Sequence, residues 1–208
     1  MMRPEAVILD IGNVLIEWRP ERFYDRVIGP ERRRALFASV DLDGMNAAID
    51  LGAPFRDTVL DMARHHPDFA AEIRLWHDRW IEMASPEIQH SVALLRRLRA
   101  RGVPVFALSN FGTDSFALAE GHYPFFKEFD RRYISGHLGL MKPDPRIYEL
   151  VETETGLPPG RLLFTDDRRD NIEAAAARGW QVHHFDGPEG WARALVAHGL
   201  LGQEETAP

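Results

Sequence analysis

Four short apolar runs in this sequence are unbroken rather than alternating, at residues 6–9, 103–108, 162–164 and 181–185. A strand with one face in water alternates apolar and polar residues, whereas a strand covered on both faces is apolar throughout. The runs therefore predict strands of a parallel sheet enclosed by helices. Helical patterns with clear punctuation lie between them. Ser85-Pro86-Glu87 reads as a cap followed by proline, with Ile88, Val92, Leu95 and Leu98 at helical spacing as far as Gly102. Asp144-Pro145 opens a second helix that stops at Gly156, and Asn171-Ile172-Glu173 begins a third that ends at Gly179. Strand and helix in alternation mean a doubly wound α/β fold.

Residues 17–84 break the rhythm, with several helical stretches and no convincing strand. The reading is an inserted helical cap, flanked by a core made of residues 1–16 and 85–201, with a flexible tail at 202–208. Phe69, Ile73, Trp76 and Trp80 recur at steps of four, three and four in the insert and read as packing. A chain of 208 residues that is 45% hydrophobic can build a real core. Its net charge of −7 argues against a general nucleic-acid binder, which needs a basic face. With no cysteine, disulfides and thiolate chemistry are excluded. The sequence shows neither a signal-peptide pattern nor an apolar run of membrane-spanning length, so a cytoplasmic protein without a membrane partner is expected. Monomer and homodimer both stay open.

Polar clusters close three of the predicted strands: Asp10, Ser109-Asn110 and Asp166-Asp167. That edge of an open α/β sheet is where ligands bind. Three carboxylates at one edge are electrostatically poor without a cation, and an all-oxygen set suits Mg²⁺ better than a soft metal. A carboxylate-bound metal can clamp a phosphate and offset its charge during transfer. Ser109 can give its hydroxyl to a phosphate oxygen, the N–H groups after it favour anions, and Lys142 supplies a positive charge. An aspartate can then attack phosphorus to form an aspartyl-phosphate that water opens.

The stretches "DIGNVLI", "FALSN", "GLMKPDPRIYE" and "LLFTDDRRDNIEAAAARG" resemble, in order and over nearly the whole chain, the four motifs of the haloacid dehalogenase-like hydrolase superfamily. The resemblance implies a Rossmann-like core with a helical cap inserted after the first motif. It is nearest to a subgroup opening "D-x-G-N-V", which includes bacterial α-D-glucose-1-phosphate phosphatases; the phosphatase domain of soluble epoxide hydrolases is a more distant relative. By motif position, the resemblance makes Asp10 the nucleophile and a metal ligand. Ser109 and Asn110 become the phosphate-binding pair, and Lys142 steadies nucleophile and phosphate. The Mg²⁺ ligands implied are Asp10, the Gly12 carbonyl and Asp167. Asp166 then supports the site through water or by fixing the turn, and Asn171 either supports it or caps its helix.

One position departs from the superfamily. Many of its phosphatases read "D-x-D-G-T", and the second aspartate works there as general acid and base. Here that residue is Gly12. A general acid contributes about 10²–10⁴-fold in rate. Either another group replaces it, or the substrate has a good leaving group, as an anomeric sugar phosphate does, or the protein is slow. A backbone need for glycine, a positive φ or a close approach, is an independent reason for its presence. The reading is a Mg²⁺-dependent phosphomonoester hydrolase for a small phosphorylated metabolite, a sugar phosphate such as glucose 1-phosphate. The rivals are a metal-free 2-haloacid dehalogenase, which lacks the acidic pair, and a weak phosphometabolite-binding or regulatory protein. The paired histidines at 65–66 and 183–184 read as surface residues. The cap stretch 41–52 is expected to face substrate, as His77 and Trp80 can.

Overall fold

The computed structural model of the chain describes residues 2–207. Five parallel strands form one sheet in the order β3-β2-β1-β4-β5. They are β1 (Ala6–Leu9), β2 (Val105–Ser109), β3 (Arg131–Ile134), β4 (Leu162–Asp166) and β5 (Gln181–His184). The central strand β1 pairs with β2 on one side and β4 on the other, and all four of its residues are buried. Successive side chains of a strand point to opposite faces. Val7 and Leu9 accordingly join one apolar cluster, and Ala6 and Ile8 join the other. Two covered faces explain why an unbroken apolar run marks this strand.

Strand β3 escapes that rule. Its sequence is Arg131-Arg132-Tyr133-Ile134, with both arginines exposed. It lies at the sheet edge, where charged side chains guard unpaired backbone against other strands. An edge strand half in water carries no apolar run to read.

The chain between β1 and β2 is helical: α1 (Pro20–Ile28), α2 (Pro30–Ser39), α3 (Leu42–Asp50), α4 (Phe55–His65), α5 (Ala70–Asp78) and α6 (Trp80–Met83), followed by α7 (Gln89–Ala100). The buried residues of α1 to α6 share one apolar cluster with Val7, Leu9, Val105 and Ala107 of the sheet. After β2 come α8 (Thr113–His122), α9 (Ser135–Leu138), α10 (Pro145–Thr155), α11 (Arg169–Ala177) and α12 (Pro188–Ala197). Helix α10 starts as its signals predict: Asp144 accepts from the Arg146 N–H, Pro145 opens the helix, and Gly156 ends it with φ 66°. None of the helices among the described residues is long and apolar enough to cross a membrane.

Three boundaries differ from expectation. Helix α7 opens at Gln89 rather than behind Ser85, because residues 86–88 pair elsewhere. The Glu17 N–H donates to the Pro86 carbonyl at 2.9 Å and the Ile88 N–H to the Leu15 carbonyl at 2.7 Å. These bonds tie the two ends of the helical insert together and take backbone groups that a helical turn needs. Helix α11 begins at Arg169, so Asn171 lies inside its first turn and does not cap it. The tail expected to be flexible contains a 3₁₀ turn at Gln203–Thr206, where Glu205 pairs with Arg101 and the Thr206 carbonyl meets the His90 ring. Those partners, His90 of α7 and Arg101 just after it, are far away in sequence. Pro208 lies outside the described residues.

The order of the strands also locates the site. The chain leaves β1 on one side for β2 and β3, then returns to the other side for β4 and β5. This reversal opens a crevice at the carboxyl end of β1, the place where ligands bind in such sheets. Asp10 stands there.

Candidate active site

Asp10 follows the last residue of β1 and is buried at 7% exposure. Three donors meet on its Oδ1: the Ile11 N–H at 2.7 Å, the Ser109 hydroxyl at 2.6 Å and the Lys142 ammonium at 3.0 Å. Its Oδ2 takes none of these. Burial holds the Asp10 carboxyl above its ordinary range, against the pull of Lys142. Lys142 is itself only 1% exposed and bridges Asp10 to Asp166, 2.5 Å away. Burial works against its ammonium, yet the two carboxylates hold its pKa above the usual lysine value. A lysine this deep serves as a charge inside the site rather than on the surface.

Asn110 stands beside this group but faces the lysine's backbone. Its Nδ2 donates to the Lys142 carbonyl at 2.9 Å and its Oδ1 accepts from the Lys142 N–H at 2.8 Å. Both ends of the amide are therefore engaged in placing Lys142. The Asn110 side chain is thus not free for the expected phosphate contact, while the Ser109 hydroxyl stands at Asp10.

The two residues of the acidic pair divide their work. Asp166, fully buried, accepts from Lys142, from the Arg168 N–H at 2.8 Å, and from Asn171 Nδ2 at 3.0 Å to each oxygen. It is saturated by the turn it holds. Asp167 receives one side-chain donor, Asn13 Nδ2 at 2.9 Å, and burial raises its pKa. Oxygens of Asp10, Asp166 and Asp167 lie within 4.8 Å of one another. Three carboxylates facing one ammonium leave negative charge without a partner, which is the electrostatic condition a divalent cation relieves. No other cluster of this kind occurs among the described residues, and the paired histidines take no part in one.

Gly12 does not need to be glycine for its backbone. Its φ is not positive; the left-handed residue of this turn is Asn13, at φ 56°. A Cβ built at Gly12 would meet nothing within 4 Å. The missing carboxylate is therefore a chemical absence and not a steric one. Asn13 was not singled out from the sequence, although asparagine tolerates the left-handed region better than most side chains. Its amide joins three elements: Nδ2 reaches Asp167, and Oδ1 accepts from the Trp18 N–H at 3.0 Å and from Arg19.

The other wall of the site comes from the helical insert. A cavity of about 540 Å³ is lined by Asp10, Ser109, Lys142 and Asp167 on one side and by Asp43, Asn46, Asp50, Trp18, Trp76 and Trp80 on the other. That volume suits a small metabolite. Trp18 meets Trp76 at 5.8 Å and Trp80 at 5.9 Å between ring centroids, and Trp80 rests on Phe111 at 5.4 Å. The tryptophan stripe thus packs and also lines the cavity. His77 packs against Phe55 with tilted rings instead and is absent from the lining. Helix α3 answers which part of 41–52 faces the site: Asp43, Asn46, Ala47 and Asp50, spaced for one helical face.

Comparison with known proteins agrees with this geometry. The chain spans less than half the length of the first curated relatives it matches. With the (S)-2-haloacid dehalogenase H-109 of Pseudomonas putida it shares 33% identity over 49% of this chain and 42% of that one. With enolase-phosphatase E1 of Acidiphilium cryptum it shares 28% over 90% of this chain and 87% of the other. A HAD family enzyme of Bacteroides thetaiotaomicron, solved in complex with magnesium and inorganic phosphate, has the same fold. It superposes with a TM-score of 0.69 at 21% identity, covering 92% of this chain and 98% of that one. The model of the haloacid dehalogenase-like hydrolases matches residues 4–179, which hold β1 to β4 and the polar strand ends, and the chain belongs to that family of enzymes.

Proposed function

We propose that this hydrolase is a Mg²⁺-dependent phosphomonoesterase of the cytoplasm, working through an aspartyl-phosphate on Asp10. The observation that carries the reading is the cluster of Asp10, Asp166 and Asp167 opposite the single ammonium of Lys142. A dehalogenase that attacks carbon has no use for the extra acidic charge, whereas a bound Mg²⁺ would neutralise it and polarise a phosphate. Asp10, the Gly12 carbonyl and Asp167 would hold the ion; Asp166 is saturated by Lys142, Arg168 and Asn171 and would keep the turn in place. Magnesium and phosphate in the Bacteroides thetaiotaomicron relative support this assignment. Ser109 and the first N–H after β2, at Asn110, would bind phosphate oxygens, since the Phe111 N–H is held by Ser135 and the Gly112 N–H by Asp50. Lys142 would balance the charge that gathers during transfer.

The helical segment 17–84 acts as the cap, and the substrate is a small phosphorylated metabolite, a sugar phosphate. Indole faces suit the C–H face of a sugar, and Asp43 and Asn46 offer partners for hydroxyls. The test is phosphate release from a panel of sugar phosphates with Mg²⁺. EDTA should abolish release and added Mg²⁺ restore it. Activity that survives EDTA, or chloride release from 2-chloropropionate, would replace this reading with the dehalogenase.

A further inference from the structure

We infer that Asp50, on the insert wall, is the proton donor to the leaving group and stands in for the carboxylate absent at Gly12. This deepens the phosphomonoesterase reading and rests on it. Two observations frame the inference. The space at Gly12 is open, so the usual acid is missing from the β1 turn. A carboxylic acid from a different element lines the same cavity as Asp10 and Lys142.

The surroundings of Asp50 suit an acid that keeps its proton. It is the last residue of α3, where the negative end of the helix dipole disfavours a carboxylate. No lysine, arginine or histidine pairs with it among the described residues, unlike Asp10 and Asp166. Burial pushes its carboxyl up to about 7; the Gly112 N–H pulls it down, and Asp10 across the cavity raises it further. The other charged groups on the cavity wall are Asp43 of α3, Lys142, Asp167 and Arg168.

Asp50 is also held in place. Asn46 Nδ2 donates to its Oδ2 at 2.9 Å, and Trp76 Nε1 donates to Asn46 Oδ1 at 3.3 Å. Its backbone carbonyl accepts from Ser135 Oγ at 2.5 Å. The end of α3 meets the turn after β2 and the start of α9 backbone to backbone. A Cβ at Gly52 would come within 2.9 Å of the Gly136 carbonyl, and one at Gly112 within 2.9 Å of the Ile49 carbonyl. This seam fixes the acid against the loop that carries Ser109 and Asn110.

The proton accounting closes. An Asp10 oxygen bonds to phosphorus as the ester P–O bond breaks, and the departing oxygen takes the Asp50 proton to leave as an alcohol. Asp50, now a carboxylate, takes a proton from the water that attacks the aspartyl-phosphate. The bond from phosphorus to Asp10 breaks, inorganic phosphate leaves, and Asp50 is again protonated. With a proton donor present, the substrate class widens from activated anomeric phosphates to esters of ordinary sugar or alkyl hydroxyls.

The test compares 4-nitrophenyl phosphate, whose leaving group needs no proton, with an alkyl ester such as a hexose 6-phosphate, both with saturating Mg²⁺. Asp50→Asn keeps the shape and should lower kcat/KM on the alkyl ester, which reads the step that expels the alcohol, by about 10²–10⁴-fold. Its effect on kcat/KM for the aryl ester should be far smaller, while kcat falls on both esters because both pass through the same aspartyl-phosphate. Adding Gly12→Asp to Asp50→Asn should return part of the alkyl activity, because the space for that side chain exists. Equal losses of kcat/KM on both esters, or no loss on either, would overturn the assignment of Asp50 while leaving the phosphatase standing. A wild type that releases no phosphate from either ester would overturn both.

Discussion

The two walls of the cavity are built on opposite principles. The sheet wall places its acids among compensating charge and dense hydrogen bonding: Asp10 and Asp166 share Lys142, and Asp166 also holds Arg168 and Asn171. The insert wall places Asp50 without a cation, among tryptophans and one asparagine. Burial raises Asp10 as well as Asp50 to about 7, but Asp10 has Lys142 and the Ser109 hydroxyl pulling toward its ionised form. The insert wall favours a protonated carboxyl. One chemistry needs both kinds, and the ammonium beside Asp10, absent beside Asp50, is what distinguishes the two places.

This contrast can be broken from the sheet side first. Asp10→Asn removes the attacking oxygen and should lower phosphate release by at least about 10⁴-fold, as loss of a nucleophile does, with the circular dichroism spectrum unchanged. Rapid release by that variant would end the aspartyl-phosphate mechanism. Next in size is Lys142→Met, which leaves Asp10 and Asp166 buried without their ammonium. A loss of about 3–5 kcal/mol in urea unfolding is expected, smaller in the presence of Mg²⁺. A variant as stable as the wild type would mean that the carboxylates are relieved in some other way.

The insert side adds to a pH dependence that Asp10 shares, since burial raises both carboxyls to about 7. The Asp50 pKa is about 7 in the folded chain against an ordinary 3.8. Between those values the unfolded chain has released a proton that the native state keeps, so stability falls as pH rises through the window. In metal-free urea titrations Asp50→Asn should flatten that fall relative to wild type, and parallel curves would contradict the protonated state. The smallest effect is expected at Trp18, whose indole meets both Trp76 and Trp80. Trp18→Ala should raise KM for a sugar phosphate by about 2- to 10-fold, the worth of one aromatic contact, with little change in kcat. An unchanged KM would remove the indole from the substrate's surroundings.

The same contrast describes how far the amino-acid sequence can be read. Asp10, Ser109, Lys142 and the Asp166-Asp167 pair are legible because each stands at a fixed distance from a buried strand or a helix start, and local chain geometry carries the side chain to the edge. Asp50 is not legible in that way. It sits in "AAIDLG" with no strand before it, and only the packing of α3 on the turn after β2 brings it to the cavity. Strand β3 was missed for a related reason, since the neighbour that makes it a strand is remote in sequence.

By itself, then, the sequence determined the parallel sheet, the helical insert, the family and the acids of the sheet wall, because apolar periodicity and motif spacing are local properties of the chain. Tertiary structure decided what Gly12 means. A glycine that could have been a backbone requirement proved to be open space, with the left-handed turn carried by Asn13 and a second acid approaching from the facing wall. Open space and approach are relations between segments distant along the chain, and only packing sets them.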